Sequence, residues 1–200
     1  MRRTWARFSA WRSSVGSTGD RLEDSGILAE LSAAARLADL RVALIGGAAV
    51  NAFEDPRFTK DVDLTVTAKA EAVSRFVSIL LEHGFVMVRD EAEGAPSGPD
   101  FVQLRRPGTM DVVDIIVAKT EYQDQVIARA VAPAADSLPV ATPEDLIVLK
   151  LIANRPVDHT DTYLLGRDNA IDWAYVVHWA AAWGIEDRLA ALRARLEGRP

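Results

Sequence analysis

The sequence predicts an α/β (α+β) protein, a mixed-sheet core with a helical subdomain packed against it. Three observations carry this. Between residues 25 and 141, stretches with helical periodicity alternate with short β-branched runs. After Thr142 the periodicity is helical to the end. The composition, 49% hydrophobic and 26% charged over 200 residues, is that of an ordinary globular chain with a sizeable core. The chain therefore divides into a basic extension (1–19), an α/β core (20–141) and a helical subdomain (142–200).

The extension carries Arg2, Arg3, Arg7 and Arg12 and has no acid before Asp20. Trp5, Phe8 and Trp11 recur at near-helical spacing, and Gly16 to Gly19 reads as a hinge. A structural N-terminal helix, a transit peptide and a basic helix docking on the domain or on RNA all fit this composition. A secretory signal does not, because no apolar core follows the arginines.

Asp24-Ser25 offers N-cap chemistry for a helix reaching about Leu40. Its apolar stripe is Ile27, Leu28, Leu31, Ala34, Ala35 and Ala38. Val42–Ile45 is an apolar strand, Ala48–Phe53 a short helical stretch, and Asp55-Pro56-Arg57 a turn. A strand with Asp61 and Asp63 follows, then a helix from Thr67 to about His83 closed by Gly84. Phe85–Val88 reads as a strand, 90–100 as a loop, Phe101–Arg105 and Asp111–Val117 as strands. Lys119–Ala130 reads as a helix and Leu138–Ala141 as a last short strand. Thr142-Pro143-Glu144-Asp145 is a helix start, with Thr at the N-cap, Pro at N1 and an acid at N3. That helix reaches about Asn154. A polar loop with Arg155, Pro156, Asp158 and Asp161 follows, then helices at about Asp168–Trp183 and Glu186–Leu196.

The chain has no cysteine, which excludes disulfides, thiolate metal sites and a Cys nucleophile and suits a reducing cytoplasm. A net charge of −6 excludes nucleic-acid binding by overall charge, though not by a local patch. No apolar run approaches the roughly 18 residues a membrane span needs. His83, His159 and His178 are scattered, and no Ser-His-acid triad is visible.

The chemistry concentrates in residues 41–66, RVALIGGAAVNAFEDPRFTKDVDLTV. Asp61 and Asp63, at i and i+2 of a strand, point to the same side with Cα atoms roughly 6.5–7 Å apart. Like charges so placed repel, so this face is either wet or holds a cation. A second strand, DVVDIIV, places Asp114 inside an apolar run. Asp111 points to the opposite face, so only one of the pair can join Asp61 and Asp63. Asp114, followed directly by Ile115-Ile116-Val117, is the choice, and Asp111 reads as a solvated strand end. Three aspartates on adjacent strands make a hard oxygen site of the kind that takes Mg²⁺ or Mn²⁺ together with substrate phosphates. Gly46-Gly47 permits close approach of backbone to phosphate.

The stretch ALIGGAAVNAFEDPRFTKDVDLTV resembles the polymerase-β-like nucleotidyltransferase superfamily. Its signature is Gly-Gly or Gly-Ser, then D-x-D, then a third acid on a later strand. Here thirteen residues, Ala48 to Lys60, separate Gly47 from Asp61. The R-x-T-x-D-x-D form, Arg57 to Asp63, is similar to the AbiEii-type toxin nucleotidyltransferases, the toxin halves of bacterial toxin–antitoxin pairs. VATPEDLIVLKLIANRPVDHTD resembles their next motif, a helical Lys followed by an R-x-K-D-like segment. Lys150 matches that Lys and Asp158 that acid, while Val157 stands where the pattern has Lys.

The resemblance implies a nucleotidyltransferase core and transfer of NMP from an NTP to a hydroxyl acceptor. Asp61, Asp63 and Asp114 would hold metal, and Gly46 and Gly47 would seat the phosphates. Lys150 would neutralise developing charge, with Asp158 in the nucleotide site beside it. Its partners would be NTP, an RNA (tRNA) or protein acceptor and a cognate antitoxin. The residues alone leave alternatives open. Lys150, in an apolar helical stretch, either snorkels out or meets a triphosphate or Asp158. Arg57 and Thr59 either order the turn or touch phosphate. The late-helix aromatics Tyr163, Trp173, Tyr175, Trp179 and Trp183 read as core. A small-molecule (antibiotic-type) nucleotidyltransferase and a non-catalytic nucleotide- or partner-binding module are the alternative functions.

Overall fold

The computed structural model describes residues 22–55, 59, 61–90 and 100–198. The basic extension, Arg57 and most of the 90–100 loop lie outside them. In chain order the elements are α1 (Leu22–Leu37), β1 (Val42–Ile45), α2 (Gly46–Val50), β2 (Asp61–Val66), α3 (Ala70–Glu82), β3 (Val86–Asp90), β4 (Phe101–Arg105) and β5 (Val112–Val117). Helices α4 (Glu121–Arg129), α5 (Pro143–Ala153), α6 (Pro156–Asp168), α7 (Trp173–Ala182) and α8 (Glu186–Leu196) complete the fold.

The five strands form one mixed sheet in the order β1-β2-β5-β4-β3. β2 and β5 run parallel, and the other three pairs are antiparallel. Strand alternation decides what each face holds. Val62, Leu64 and Val66 of β2 and Val113, Ile115 and Val117 of β5 are buried on one face. Asp61, Asp63 and Thr65 share the other face with Val112, Asp114 and Ile116. The buried side chains of sheet and helices join in a single core, with Leu31, Phe76, Leu80, Leu104, Ile115, Leu146 and Leu165 at its centre.

The two sheet edges are treated differently. β1 is closed by the segment before α5: Leu44 donates its N–H to the Pro139 carbonyl at 2.7 Å, and Ala141 donates to the Leu44 carbonyl at 3.0 Å. The strand expected at Leu138–Ala141 is thus reduced to single bridges from Val140 to Leu44 and to Val131. Pro139, lacking an N–H, cannot extend the ladder. β3 is the other edge and exposes Val86, Met87 and Val88.

The helical third differs most from expectation. Residues 155–161, read as a loop, begin the thirteen-residue α6. Pro156 occupies N1, where its missing N–H costs nothing, and Asp158 at N3 accepts the Arg155 N–H at 3.0 Å. The next helix starts at Trp173 rather than Asp168, with Asp172 capping Ala174 and Tyr175. Other boundaries moved less: α3 starts at Ala70 rather than Thr67, and α2 starts at Gly46 itself. At the head of α5, Thr142 accepts the Asp145 N–H as expected. Asp145 is fully buried there. Its carboxylate accepts bonds from Tyr175 at 2.6 Å, Thr142 at 2.6 Å and Arg129 at 3.2 Å. It thereby ties α4, α5 and α7 together. No helix among the described residues is long and apolar enough to cross a membrane.

Candidate active site

Parallel pairing of β2 with β5 sets Asp63 directly beside Asp114, and β4 sets Gln103 beside Asp114 on the other flank. Asp61 lies two residues before Asp63 on the same face and is exposed at the strand end. Asp114 is held by Gln103, whose amide Nε2 donates to Oδ1 at 2.8 Å. Asp111 does not join them. It precedes β5 and pairs at 3.7 Å with Arg106, which also reaches Glu30. Arg105, on the same face as Gln103, is exposed at the strand end.

Gly46, where β1 passes into α2, faces this pair. Its φ is +69°, a conformation that side chains resist. A Cβ placed there would lie 1.8 Å from Asp63 Oδ2. The first glycine of the pair is therefore required both by the turn and by the carboxylate that fills the space a side chain would take. Thr59 Oγ1 bonds the Asp61 carbonyl at 3.3 Å and so shapes the entry to β2.

Electrostatically this face is strained. Burial, then the charges of Asp114 and Asp61, raise the Asp63 carboxyl from 3.8 to about 6. Burial also raises Asp114, opposed by the Gln103 hydrogen bond. Lys150 and Arg155 pull Asp63 the other way, which places the α5–α6 corner within electrostatic reach of the aspartates. α5 also packs on α2, the helix that Gly46 opens.

At that corner Lys150 is buried between two carboxylates, 2.9 Å from Asp158 Oδ1 and 2.8 Å from Asp161 Oδ2. Of the partners weighed for it, the structure supplies Asp158 and adds Asp161. Asp158 also accepts from Arg155 Nε at 2.8 Å and Nη2 at 3.1 Å. Burial alone would raise the Asp158 carboxyl, but the bonds from Arg155 and Lys150 hold it at about 2.

The residues of this face and of the α5–α6 corner lie within one family match. The model of the AbiEii nucleotidyl transferase toxins, of type IV toxin–antitoxin systems, matches residues 27–170. The chain belongs to that family. No curated protein matches the chain. Among solved structures it is similar to ANT(2")-Ia in complex with adenylyl-2"-tobramycin, at 18% identity and a TM-score of 0.51, covering 86% of this chain and 98% of that one. It is also similar to the Megavirus polyadenylate synthase, at 14% identity and a TM-score of 0.50, covering 84% of this chain and 36% of that one. At these identities the likeness is one of fold, a nucleotidyltransferase fold of the polymerase-β-like kind. As a member of the AbiEii family the protein is a nucleotidyltransferase.

The donor chemistry fits a hard divalent cation. Asp63 and Asp114 are neighbours across one strand pair, their mutual repulsion is uncompensated on the face itself, and Asp61 stands at its mouth. Among the described residues no three His, Cys, Asp or Glu side chains come together closely enough to hold a metal ion by themselves. The set is an open edge whose remaining ligands would be substrate oxygens and water, as is usual for Mg²⁺.

Three residues that bear on this face are given no role by the sequence. Gln103 was legible as the polar residue among the alternating apolar positions of FVQLR. Asp161 was legible as the acid one helical turn after Asp158, once α6 is a helix. Arg155 was legible as the Arg of the R-x-K-D-like segment, but Arg-Pro reads as a helix breaker rather than a helix start, which hid its place at the N-cap of α6.

Proposed function

We propose that the protein transfers NMP from an NTP to a hydroxyl acceptor in the cytoplasm, as the toxin of a toxin–antitoxin pair, with an RNA such as tRNA or a protein as acceptor. The observation that carries this reading is the in-register pairing of Asp63 with Asp114 beside Gly46, inside a chain of the AbiEii family.

The acceptor oxygen attacks the α-phosphorus, the α–β bridging P–O bond breaks, and pyrophosphate leaves. Asp114, with its raised affinity for protons, takes the hydroxyl proton, and Gln103 fixes the oxygen that does not. Asp61, Asp63 and Asp114 would hold Mg²⁺ or Mn²⁺, which when bound supplies positive charge to the triphosphate and the attacking oxygen. Gly46 and Gly47 let the phosphates approach the backbone, Thr59 shapes the entry to β2, and Arg57 and Thr59 are assigned to the nucleotide. Lys150, held between Asp158 and Asp161, acts on the site through the α5–α6 corner that it anchors.

The test is transfer of α-labelled NTP to total tRNA in Mg²⁺, with pyrophosphate release measured in parallel. Label on RNA that is abolished in Asp61→Ala is the expected result. Equal labelling by that variant would overturn the reading. An acceptor affinity that falls steeply with salt marks a polyanion, whereas a salt-independent one marks the small-molecule alternative. NTP binding without pyrophosphate release under any acceptor would mark the non-catalytic module.

A further inference from the structure

The two cations at the α5–α6 corner are placed for different tasks. Lys150 is 5% exposed at its side chain and spends its charge on two carboxylates that are themselves buried, Asp158 and Asp161. A phosphate reaching Nζ would have to expel one of them and leave it buried without its partner. Arg155 is 63% exposed at its side chain. Its backbone N–H, Nε and Nη2 all bind Asp158, so the guanidinium plane is fixed by an anchor that Lys150 grips from the other side.

A guanidinium has five N–H donors, of which Asp158 takes two. Nη1 and the second Nη2 hydrogen have no partner among the described residues. Lys150, Arg155, Asp158 and Asp161 together are charge-neutral, but the positive end of the cluster is the one at the surface. An oriented fork with an open edge matches a phosphate better than a lysine point charge does. The exposed neighbour Val157 supplies no charge at the position where the family pattern has Lys.

Resting on the nucleotidyltransferase reading, we propose that Arg155 is the residue that binds the β- and γ-phosphates of the incoming NTP, the part that leaves as pyrophosphate. Lys150 is then a positioning residue, which locks Asp158 and Asp161 and through Asp158 aims Arg155. The electrostatic reach of Arg155 to Asp63 agrees with this placement.

The test compares the full-length wild type with Arg155→Ala, Arg155→Lys and Lys150→Met. The probes are inorganic pyrophosphate and α,β-methylene analogues of ATP and GTP in Mg²⁺, by calorimetry, together with steady-state transfer. Arg155→Ala is expected to weaken pyrophosphate and analogue binding, and to raise KM for NTP, by at least about ten-fold, and to lower the melting temperature less than Lys150→Met does, because Lys150 still pairs with Asp158. Arg155→Lys is expected to recover part of that loss. Lys150→Met is expected to lower the melting temperature. Should it fail to fold, Asp161→Asn takes its place and is expected to leave KM near wild type, because Asp158 still anchors Arg155. Wild-type binding of pyrophosphate and analogue by Arg155→Ala would overturn the assignment while leaving the nucleotidyltransferase reading intact. A folded Lys150→Met that loses nucleotide binding while Arg155→Ala keeps it would also overturn it. A wild type that binds no probe and transfers nothing would overturn the nucleotidyltransferase reading itself.

Discussion

Asp63→Asn is expected to make the protein more stable at neutral pH while abolishing transfer. The Asp63 carboxyl is raised from 3.8 to about 6 by burial and by its neighbours Asp114 and Asp61. A carboxyl raised above its unfolded value adds no instability below about pH 4, where both states are protonated. It costs progressively more as the pH climbs, and the full cost is reached above the folded value near 6. At 1.36 kcal/mol per pKa unit the ceiling is about 3 kcal/mol, and coupling within the aspartate group brings the usable figure to about 1–3 kcal/mol. For a chain of this size that is a rise in melting temperature of roughly 2–10 °C. The assay is thermal unfolding of both proteins from pH 4 to pH 8 in chelator. The two curves should converge near pH 4 and separate through pH 6, the variant lying higher. Adding Mg²⁺ should then narrow the gap, because ligand binding stabilises only the protein that keeps the site. An Asp63→Asn protein less stable than wild type at pH 7.5, or a gap that does not change with pH, would refute the reasoning.

Gly46→Ala is expected to cost about 1–3 kcal/mol and most of the activity, since its Cβ would overlap Asp63 Oδ2 and its φ is +69°. Urea denaturation together with labelled transfer would check both. Gln103→Leu removes the bond that lowers Asp114, so the acidic limb of the transfer rate should move to higher pH, read from a pH–rate profile. Lys150→Met strands two buried carboxylates and should cost about 3–5 kcal/mol, measurable by chemical denaturation. Tyr175→Phe deletes the 2.6 Å bond to Asp145 and should cost about 1–3 kcal/mol in the same assay.

The sheet and its charged face were legible because alternation along a strand is a local property. Asp61 and Asp63 had to share a face, and the apolar run after Asp114 marked it as the member of DVVDIIV that lies inside the sheet. The register that sets Asp114 against Asp63 is a tertiary fact, and so is the Gln103 bond that follows from it. The α5–α6 corner was misread for a different reason. Polar residues after Pro156 have the composition of a loop, and they fold as a helix because Asp158 satisfies the Arg155 N–H and Lys150 satisfies Asp158 and Asp161. Of those partnerships only Lys150 with Asp158 is among the alternatives that the sequence offers. Leu138–Ala141 shows the converse, a β-like sequence that yields only single bridges once Pro139 meets the edge of β1.

The adjacency of β2 and β5 also governs when the proposed site is assembled. The two strands lie about 50 residues apart in the chain, and β3 and β4 are synthesised between them. A nascent polypeptide displays the D-x-D motif several seconds before its third carboxylate leaves the ribosome, at usual synthesis rates. Until β5 slots in between β2 and β4, the motif is paired only with β1 and the Gly46 turn faces an incomplete sheet. The proposed site is complete only once the sheet has closed, so prematurely terminated chains ending before Val112 carry the signature without the third carboxylate.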